Sequence, residues 1–493
     1  MSSTPPESSP SSGLLRKFRQ GLDGDNAVAA LRSGLIGKSA IVDGPFGPQK
    51  LLYADYVASG RALMQIEQFV LEQVLPYYAN SHTEASHCGG LMTRLRREAR
   101  AVIAACCGAD RDHAVIFAGS GATAGLNRLV KLLGVTDASA AGQRVRIVIG
   151  PYEHHSNILP WRESGAEVIE IGESASGGPD MQALADVLCQ PADLTICSFS
   201  AASNITGIIT DVEAVTRMVK ASGAKMVWDY AGAGPYLPIA ISLGAGAEID
   251  AIVVSPHKFI GGPAASGILI LRHDAVVVSK PSWPGGGTVR FVSPTGHDYS
   301  GSLEAREEAG TPDVIGDIRA ALAFLVKDAL GADNIATRNA ELVERAFAGW
   351  GDVASLELLG APGPQRLPIF SFRIKDGAGG YVHQQLITRM LSDRFGIQAR
   401  GGCACAGPYV HRLLAISDEQ SAQIRQAILS GDEMRKPGFI RLNLSVLLSD
   451  EEVDFILDAV AQLAADATQY VDIYEVDASR AIFSPRKIQR DAA

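Results

Sequence analysis

Long hydrophobic runs, blocks of basic residues and abundant aromatic side chains are all missing from this sequence. No apolar run reaches the roughly 18 residues that a membrane-spanning helix needs, so no membrane partner is expected. The net charge is −10, and the densest basic stretch, 94–100, lies in a helical pattern. A solvated helix face explains that stretch, and nothing else in the sequence indicates a nucleic-acid partner.

Cysteine is also scarce. The chain has seven cysteines in 493 residues, an odd number without the spacing of a disulfide framework. Such use of cysteine is typical of a reducing compartment, so we expect a cytoplasmic protein. Two of the cysteines, Cys403 and Cys405, are close together, but no second Cys/His cluster has zinc-type spacing. No metal site is therefore expected.

The length and composition predict two domains with tails. A chain of 493 residues, 47% of them hydrophobic, exceeds one simple domain. Its start is rich in Ser and Pro and lacks the apolar core of a secretory signal. The expected divisions are a disordered tail at 1–12, an N-terminal segment packing on the small domain at 13–45, a large cofactor-binding domain at 46–314, a small C-terminal domain at 315–475 and a C-terminal tail at 476–493.

Short apolar runs alternate with helix-sized segments in the first two thirds of the chain. Continuous, β-branched runs with this spacing predict an α/β domain whose mostly parallel sheet is buried on both faces. The predicted strands are 113–117, 145–149, 194–199, 226–228, 252–254 and 267–271. The last third predicts a smaller α+β domain with helices at about 315–330, 334–350, 381–395 and 450–464 and strands at 369–374 and 440–447. A capping-box pattern, Ser449 to Glu452, opens the last of these helices.

Polar or ionisable residues follow five of the predicted strands. Ligands of parallel sheets bind beyond the carboxyl ends of the strands, so five such endings in succession predict one site. The endings are 119–123, 153–155, 203–204, Asp229 and 255–258.

Lys258 and Asp229 indicate the cofactor. A neutral, buried lysine can condense with an aldehyde, and an aspartate can keep a pyridine nitrogen protonated; together these two roles define a pyridoxal 5'-phosphate (PLP) enzyme. The glycine-rich turn before an apolar helix offers free N–H groups and a hydroxyl to a phosphate, through Gly121, Ala122 and Thr123.

Other residues at the strand ends have candidate roles at the same cofactor. Either His154 or His155 can lie over its ring, and Asn204 can hydrogen-bond its phenolic oxygen. Ser255 and His257 flank the lysine and can bind the phosphate. Each of these side chains, taken alone, is also common in purely structural roles.

Cys403 and Cys405 lie in a loop flanked by glycines, where an exposed thiolate can act as a nucleophile. The alternatives are a buried cysteine pair, a redox dithiol and half of a metal site. Arg441 begins a predicted strand, and its guanidinium can clamp a substrate carboxylate in two-pronged fashion.

In combination, these motifs resemble the class V aminotransferase family of fold type I PLP enzymes, and within it the cysteine desulfurases of the SufS/Csd type. The resemblance runs from about Leu52 to Val460. It rests on the segments 53–59, Asn80 with His82, 153–157, 203–207, 255–258 and 308–312.

The resemblance implies a fold type I PLP-dependent transferase: a large domain with a mostly parallel seven-stranded sheet sandwiched by helices, plus a smaller α+β C-terminal domain. It implies that His154, rather than His155, stacks on the cofactor. It also implies a homodimer with shared active sites, in which Thr311 reaches the phosphate of the neighbouring subunit. The substrate side is expected to contain Ala58, Asn80, His82, Arg400 and Arg441.

The resemblance further implies that an enzyme thiolate removes sulfur from L-cysteine, leaving alanine and a persulfide for a sulfur-acceptor protein. The spacing from Arg400 favours Cys405 over Cys403 as that thiol. Three features depart from the family: Gly232 replaces a usual glutamine, the cysteines form a Cys-x-Cys pair, and the segment 406–440 is longer than usual. The alternatives are a class V enzyme acting on another amino acid, as a C–S lyase, epimerase or aminotransferase with dispensable cysteines, and a non-catalytic scaffold.

Overall fold

The computed structural model describes residues 13–24, 27–81 and 84–486. The expected tail at 1–12 lies outside them, as do residues 487–493. The helices are α1 (Leu14–Gln20), α2 (Ala27–Ser33), α3 (Met64–Phe69), α4 (His87–Cys106), α5 (Gly121–Leu132), α6 (Val135–Ala140), α7 (Leu159–Arg162), α8 (Met181–Leu188), α9 (Val212–Ala221), α10 (Leu303–Glu307), α11 (Val314–Leu330), α12 (Ala332–Trp350), α13 (Gln384–Phe395), α14 (Gly407–Leu413), α15 (Asp418–Leu429) and α16 (Asp450–Asp466). The strands are β1 (Ile41–Val42), β2 (Gln49–Lys50), β3 (Leu52–Tyr53), β4 (His113–Gly119), β5 (Val145–Ile149), β6 (Glu167–Glu170), β7 (Leu194–Ser200), β8 (Lys225–Asp229), β9 (Ala251–Val254), β10 (Gly267–Arg272), β11 (Val289–Val292), β12 (His297–Tyr299), β13 (Leu356–Leu358), β14 (Ile369–Ile374), β15 (Ile397–Gln398), β16 (Arg400–Gly402), β17 (Phe439–Asn443), β18 (Tyr474–Asp477) and β19 (Ile482–Pro485).

A seven-stranded sheet forms the centre of the large domain, in the order β4-β10-β9-β8-β7-β5-β6. The neighbours from β9 to β6 pair in parallel, and β10 is antiparallel to both β4 and β9. The predicted α/β class and mostly parallel sheet are confirmed. The sequence did not predict the edge strand β6, because it starts and ends on glutamate and lacks the continuous apolar run of its neighbours.

The sheet is apolar on both faces because helices cover both. Successive side chains of a strand point to opposite faces. Trp228 and Ile252 therefore lie in one apolar cluster, with α4 and α11, while Val227 and Val253 lie in the other, with α5. This double burial explains why the predicted strands read as continuous apolar runs rather than as alternating patterns.

The segment at 13–45 connects the two domains. Leu15 and Leu31 are fully buried in the large-domain cluster, whereas Arg32 Nε donates to the carbonyl of Leu447 at 2.8 Å. Helix α11, which we expected at the start of the small domain, also packs in the large-domain cluster and contacts α4 along its length. The first long helix that contributes to the apolar core of the small domain is α12.

The small domain is built on a four-stranded antiparallel sheet, β13-β14-β17-β16, packed against α12, α13 and α16. The expected strand to residue 447 ends at Asn443, after which the backbone turns toward α16. The capping box of α16 is confirmed: Ser449 Oγ accepts from the N–H of Glu452 at 3.2 Å, and the Glu452 carboxylate accepts from the N–H of Ser449 at 3.1 Å. Residues 474–485, mostly expected in the C-terminal tail, form the hairpin β18–β19.

The long segment after the cysteines forms α14 and α15. Tyr409 and Val410 of α14 are buried against Tyr152 and Ile205 of the large domain. The segment thus lies beside the carboxyl ends of the large sheet. Among the described residues, no helix is long and apolar enough to span a membrane.

Candidate active site

A cleft of about 230 Å³ lies at the carboxyl ends of the central strands. Most of the predicted site residues line it, although they lie as far apart in the sequence as Ala58 and Arg441. The predicted residues in its wall are Ala58, Gly121, Ala122, Thr123, His154, Asn204, Asp229, Ser255, His257, Lys258, Arg400 and Arg441.

Lys258 closes a short 3-10 turn, Pro256–Lys258, directly after β9. The protein around it lowers its pKa to about 8, because removal from bulk water penalises the ammonium more than Asp229 stabilises it. The charges of Arg441 and Arg400 lower it further. At pH 7 about a tenth of Lys258 is therefore the neutral amine, far more than of a lysine in water, and this is the form that attacks an aldehyde.

Asp229 ends β8 and is 4% exposed. Burial raises its pKa, while the N–H of Ala231, which donates to Oδ1 at 2.7 Å, and the charge of Lys258 oppose that rise. A cationic partner in the cleft would favour the ionised carboxylate further. Asp229 is thus suited to hold a protonated ring nitrogen.

The start of α5 forms an anion cradle. The backbone N–H of Ala122 donates to Ser255 Oγ at 2.9 Å, which joins the helix start to the turn before Lys258. Gly121 has φ +64, and a Cβ there would lie 2.9 Å from both Ser255 Oγ and His257 Cε1. The absence of that Cβ keeps the helix N-terminus, with its positive dipole end, open to a phosphate.

The two adjacent histidines face different ways. His154 lines the cleft, and its Nδ1 accepts from the N–H of Ser156 at 3.1 Å. Burial, with the charge of Lys258, lowers the pKa of His154 to about 4, so its ring is neutral and suited to lie over a cofactor ring. His155 instead contacts the cysteine loop, where its Nε2 accepts from the N–H of Gly407 at 3.0 Å.

Asn204 connects the cleft to the cysteine loop. Its Nδ2 donates to the carbonyl of Ala404 at 3.0 Å, whereas its Oδ1 is buried without a partner among the described residues. Gly232 lies beside Asn204, and a Cβ there would meet Asn204 Cβ at 3.6 Å, an ordinary van der Waals contact. An unsatisfied buried amide oxygen at the wall of a cleft fits a site that receives a polar ligand.

The arginines of the substrate side share a carboxylate. Arg441 Nη2 donates to Asp55 Oδ1 at 2.9 Å, and Nη1 donates to the carbonyl of Asn204 at 3.1 Å. Arg400 lies 3.3 Å from the other oxygen of Asp55. This arrangement holds two guanidinium groups at one end of the cleft, where an amino acid carboxylate can bind.

The cysteines lie at the rim of the cleft. Cys405 is exposed and Cys403 is partly buried against the Tyr152 and Tyr409 cluster. Only Ala404, between them, lines the cleft itself.

Besides the two cysteines, Asn80 and Thr311 are predicted residues that do not line the cleft. Both are exposed at other places on the chain, and His82 lies outside the described residues. Thr311 is expected to contact the cofactor phosphate of a neighbouring subunit, and its contact with that phosphate stays a prediction.

Sequence reasoning missed Asp55 and Glu153. Glu153 is buried, accepts from the N–H of Ser200 at 2.8 Å and from its Oγ at 2.7 Å, and has its pKa raised to about 8 by burial. Both residues stand in motifs already singled out, 53–59 and 153–157. The sequence feature that could have identified them is an acidic residue inside an otherwise apolar or histidine-rich segment.

Comparison with known proteins agrees with this geometry. A family model described as aminotransferase class-V matches residues 52–456. A probable cysteine desulfurase of Streptomyces coelicolor is 28% identical over 365 residues, which cover 73% of this chain and 84% of that protein. One of Vibrio cholerae is 27% identical over 441 residues, 87% of this chain and 97% of that protein.

Solved structures show the same fold. The apo structure of the cysteine desulfurase from Thermococcus onnurineus has a TM-score of 0.70 and 24% identity, covering 84% of this chain and 95% of that one. The cysteine desulfurase CsdA of Escherichia coli, with an S-sulfonic acid, has a TM-score of 0.70 and 21% identity, covering 90% of this chain and all of that one. The predicted fold, a large domain on a mostly parallel sheet and a smaller C-terminal one, is confirmed.

Proposed function

Since the chain belongs to the class V aminotransferase family, we propose that it is a PLP-dependent cysteine desulfurase, which converts L-cysteine to alanine and leaves a persulfide on the enzyme. One observation carries the proposal. The cleft that holds Lys258 and Asp229 has Ala404, the residue between the two loop cysteines, in its wall. The relatives named as cysteine desulfurases support the same reaction.

The residues present fit the family's cofactor. The start of α5, Ser255 and His257 would hold the phosphate, Asp229 the ring nitrogen, and Lys258 the aldehyde carbon. Asn204 Oδ1, which is buried without a partner among the described residues, would be available to a polar group of the cofactor. When bound, PLP supplies an electron sink that stabilises negative charge on the substrate's carbon skeleton.

The chain's own groups then orient the substrate and move protons. Arg441 and Arg400 bind the substrate carboxylate at the end of the cleft where Asp55 holds them. Lys258, with a pKa of about 8, can take a proton from the α-carbon and return it within the pH range of the cytoplasm. The neutral ring of His154 covers the site without adding a positive charge beside Lys258.

Sulfur removal needs a nucleophile from the loop. The Cys405 thiolate attacks the substrate sulfur, so that an S–S bond forms while the Cβ–S bond of the substrate breaks. The electron pair of the broken bond stays with carbon, which takes up a proton and leaves as the methyl group of alanine. Cys405 is exposed, so a persulfide formed on it would be accessible to a sulfur-acceptor protein.

The proposal includes a homodimer with shared active sites in the cytoplasm. Thr311 is exposed in the single chain, and large apolar side chains are exposed in the segment before it, including Trp283 at 66% and Phe291 at 58%. A partner subunit would cover this surface.

The test is incubation with L-cysteine in the presence of a dithiol reductant, with products identified by mass spectrometry. We expect alanine and sulfide in equal amounts. Cys405→Ala should lose sulfide release, and Cys403→Ala should retain most of it. Full activity in the double variant would contradict the proposal.

A second candidate is a class V enzyme that acts on a different amino acid. The glycine at position 232, where the family usually has a glutamine, favours it. In that case a panel of amino acids would give pyruvate, another keto acid or an inverted stereocentre from one substrate, and both cysteines would be dispensable.

A further inference from the structure

The loop from Cys403 to Gly407, here the thiol loop, has an unusual backbone. Ala404 has φ +48 and Cys405 has φ +56, both in the left-handed region. This conformation is unfavourable for a residue with a side chain. Two such residues in succession persist only where their surroundings hold them.

Within the loop, one hydrogen bond closes the turn. The N–H of Ala406 donates to the carbonyl of Cys403 at 3.3 Å. At that length it is a weak bond. Helix α14 continues from the loop through the bond from the N–H of Val410 to the carbonyl of Ala406, whereas the carbonyls of the two left-handed residues, Ala404 and Cys405, accept hydrogen bonds from the large domain.

His155 forms two hydrogen bonds with the thiol loop. Its backbone N–H donates to the carbonyl of Cys405 at 2.8 Å, and its Nε2 accepts from the N–H of Gly407 at 3.0 Å. The two bonds lie on either side of Ala406. Asn204 adds a third, through Nδ2 to the carbonyl of Ala404.

The bond to Gly407 requires a neutral imidazole, since a protonated ring has no acceptor. Burial and the nearby charge of Arg162 lower the pKa of His155 and favour that form. Gly407 also permits the approach, because a Cβ there would lie 3.1 Å from Nε2.

We propose that His155 is a positioning residue for the reactive thiol: through its two bonds it holds the left-handed turn that carries Cys405 at the rim of the cleft. The inference rests on the proposed function and deepens it. His155 does not line the cleft, so it acts through the loop rather than on the cofactor.

If His155 acts through the thiol loop, its loss should affect two substrates differently. L-Cysteine gives up its sulfur only to an enzyme thiol, so it needs the loop in place. L-Cysteine sulfinate releases sulfur dioxide when its Cβ–S bond breaks, and the electron pair stays with carbon, so no thiol acceptor is needed. This reaction therefore depends only on the cofactor site. A loop-positioning residue affects the first reaction and spares the second.

The variants are His155→Phe, which keeps a ring but loses the acceptor, and His155→Gln, which restores an acceptor. His273→Phe is the matched control, at an exposed histidine after β10. In His155→Phe we expect kcat for L-cysteine to fall at least about tenfold, as misplacement of a reacting group does. The rate with cysteine sulfinate and the cofactor absorbance should stay as in the wild type, and His155→Gln should recover most of the loss. His155→Ala replaces the phenylalanine variant if that variant does not fold.

Equal loss with both substrates, or no loss with L-cysteine, would overturn the proposal. Hydrogen exchange gives a second readout that does not depend on turnover: amides 406 and 407 should exchange at least about tenfold faster in His155→Phe than in the control. Unchanged exchange would also overturn it. If the wild type makes no alanine from L-cysteine but still reacts with cysteine sulfinate, the proposed function fails, and exchange alone decides whether His155 holds the loop.

Discussion

At the scale of single residues, the charge of Lys258 controls what the cleft can do. Its amine is surrounded by protein, and two guanidinium groups lie near it. Asp229 only partly offsets these effects. A lysine in such surroundings gives up its proton far more readily than one in water.

We therefore predict that PLP attaches to the apoenzyme faster as the pH rises toward 8. Because Lys258 has its pKa lowered to about 8, the neutral fraction should grow about tenfold per pH unit below that value and level off above it. Stopped-flow absorbance at about 420 nm, the band of PLP bound to lysine, measures the rate. Lys258→Ala should show no such band. A rate that keeps rising to pH 10 would mean that Lys258 has an ordinary pKa.

The same shift affects the stability of the apoenzyme. The pKa of Lys258 is lower in the folded protein than in the unfolded chain, so folding is less favourable when this lysine is ionised than when it is neutral. The contribution of Lys258 to the free energy of unfolding is therefore largest at pH values above the pKa of the unfolded chain. It decreases as the pH falls to about 8.

At the scale of elements, the start of α5 is the proposed binding place of the cofactor phosphate. Gly121 and Gly108 provide a comparison, because both have left-handed backbones, with φ +64 and φ +65. A Cβ at Gly108 meets nothing within 4 Å, whereas one at Gly121 would lie 2.9 Å from Ser255 Oγ. The strain of substitution is thus similar, and only the surroundings differ.

We predict that Gly121→Ala weakens PLP binding at least about tenfold, while Gly108→Ala does not, although each costs roughly 1–2 kcal/mol of stability through its backbone. Titration of the apoenzyme with PLP gives the affinities, and urea unfolding gives the stabilities. Equal PLP affinity in the two variants would place the phosphate elsewhere.

Element by element, the large domain was the easier part to predict. Strands β8 and β9 are buried on both faces, so their sequences are continuous and apolar, and their ends are marked by Asp229 and Lys258. Strand β6 lies at the sheet edge and β16 is rich in glycine, so neither has that pattern. Such strands exist because neighbouring strands pair with them, and this information is not local.

At the scale of the whole molecule, the proposed dimer is open to a complementation test. The Lys258→Ala chain keeps Thr311, and the Thr311→Ala chain keeps Lys258. If Thr311 serves the neighbouring subunit, a mixed dimer contains one site with both residues intact. Each pure variant then contains none.

We predict that the two inactive or weakened variants regain activity when mixed after unfolding and refolding together. Random pairing should give about half mixed dimers, with one intact site each, hence about a quarter of wild-type activity. Light scattering should show twice the mass of the chain. Activity no higher than the average of the two pure variants would contradict shared sites.

The sequence by itself determined six of the seven strands of the large sheet, the strand-end positions of Lys258 and Asp229, and the glycine-rich turn before α5, because strand burial and strand-end chemistry are written in short, local patterns. The family resemblance favoured His154 over His155, but only the tertiary structure showed that His154 lines the cleft while His155 contacts the cysteine loop, since adjacent residues on a turn point to different partners. It also showed that Arg441 is held by Asp55, 386 positions earlier in the chain. Contacts of this range depend on how the two domains pack, and no local pattern records them.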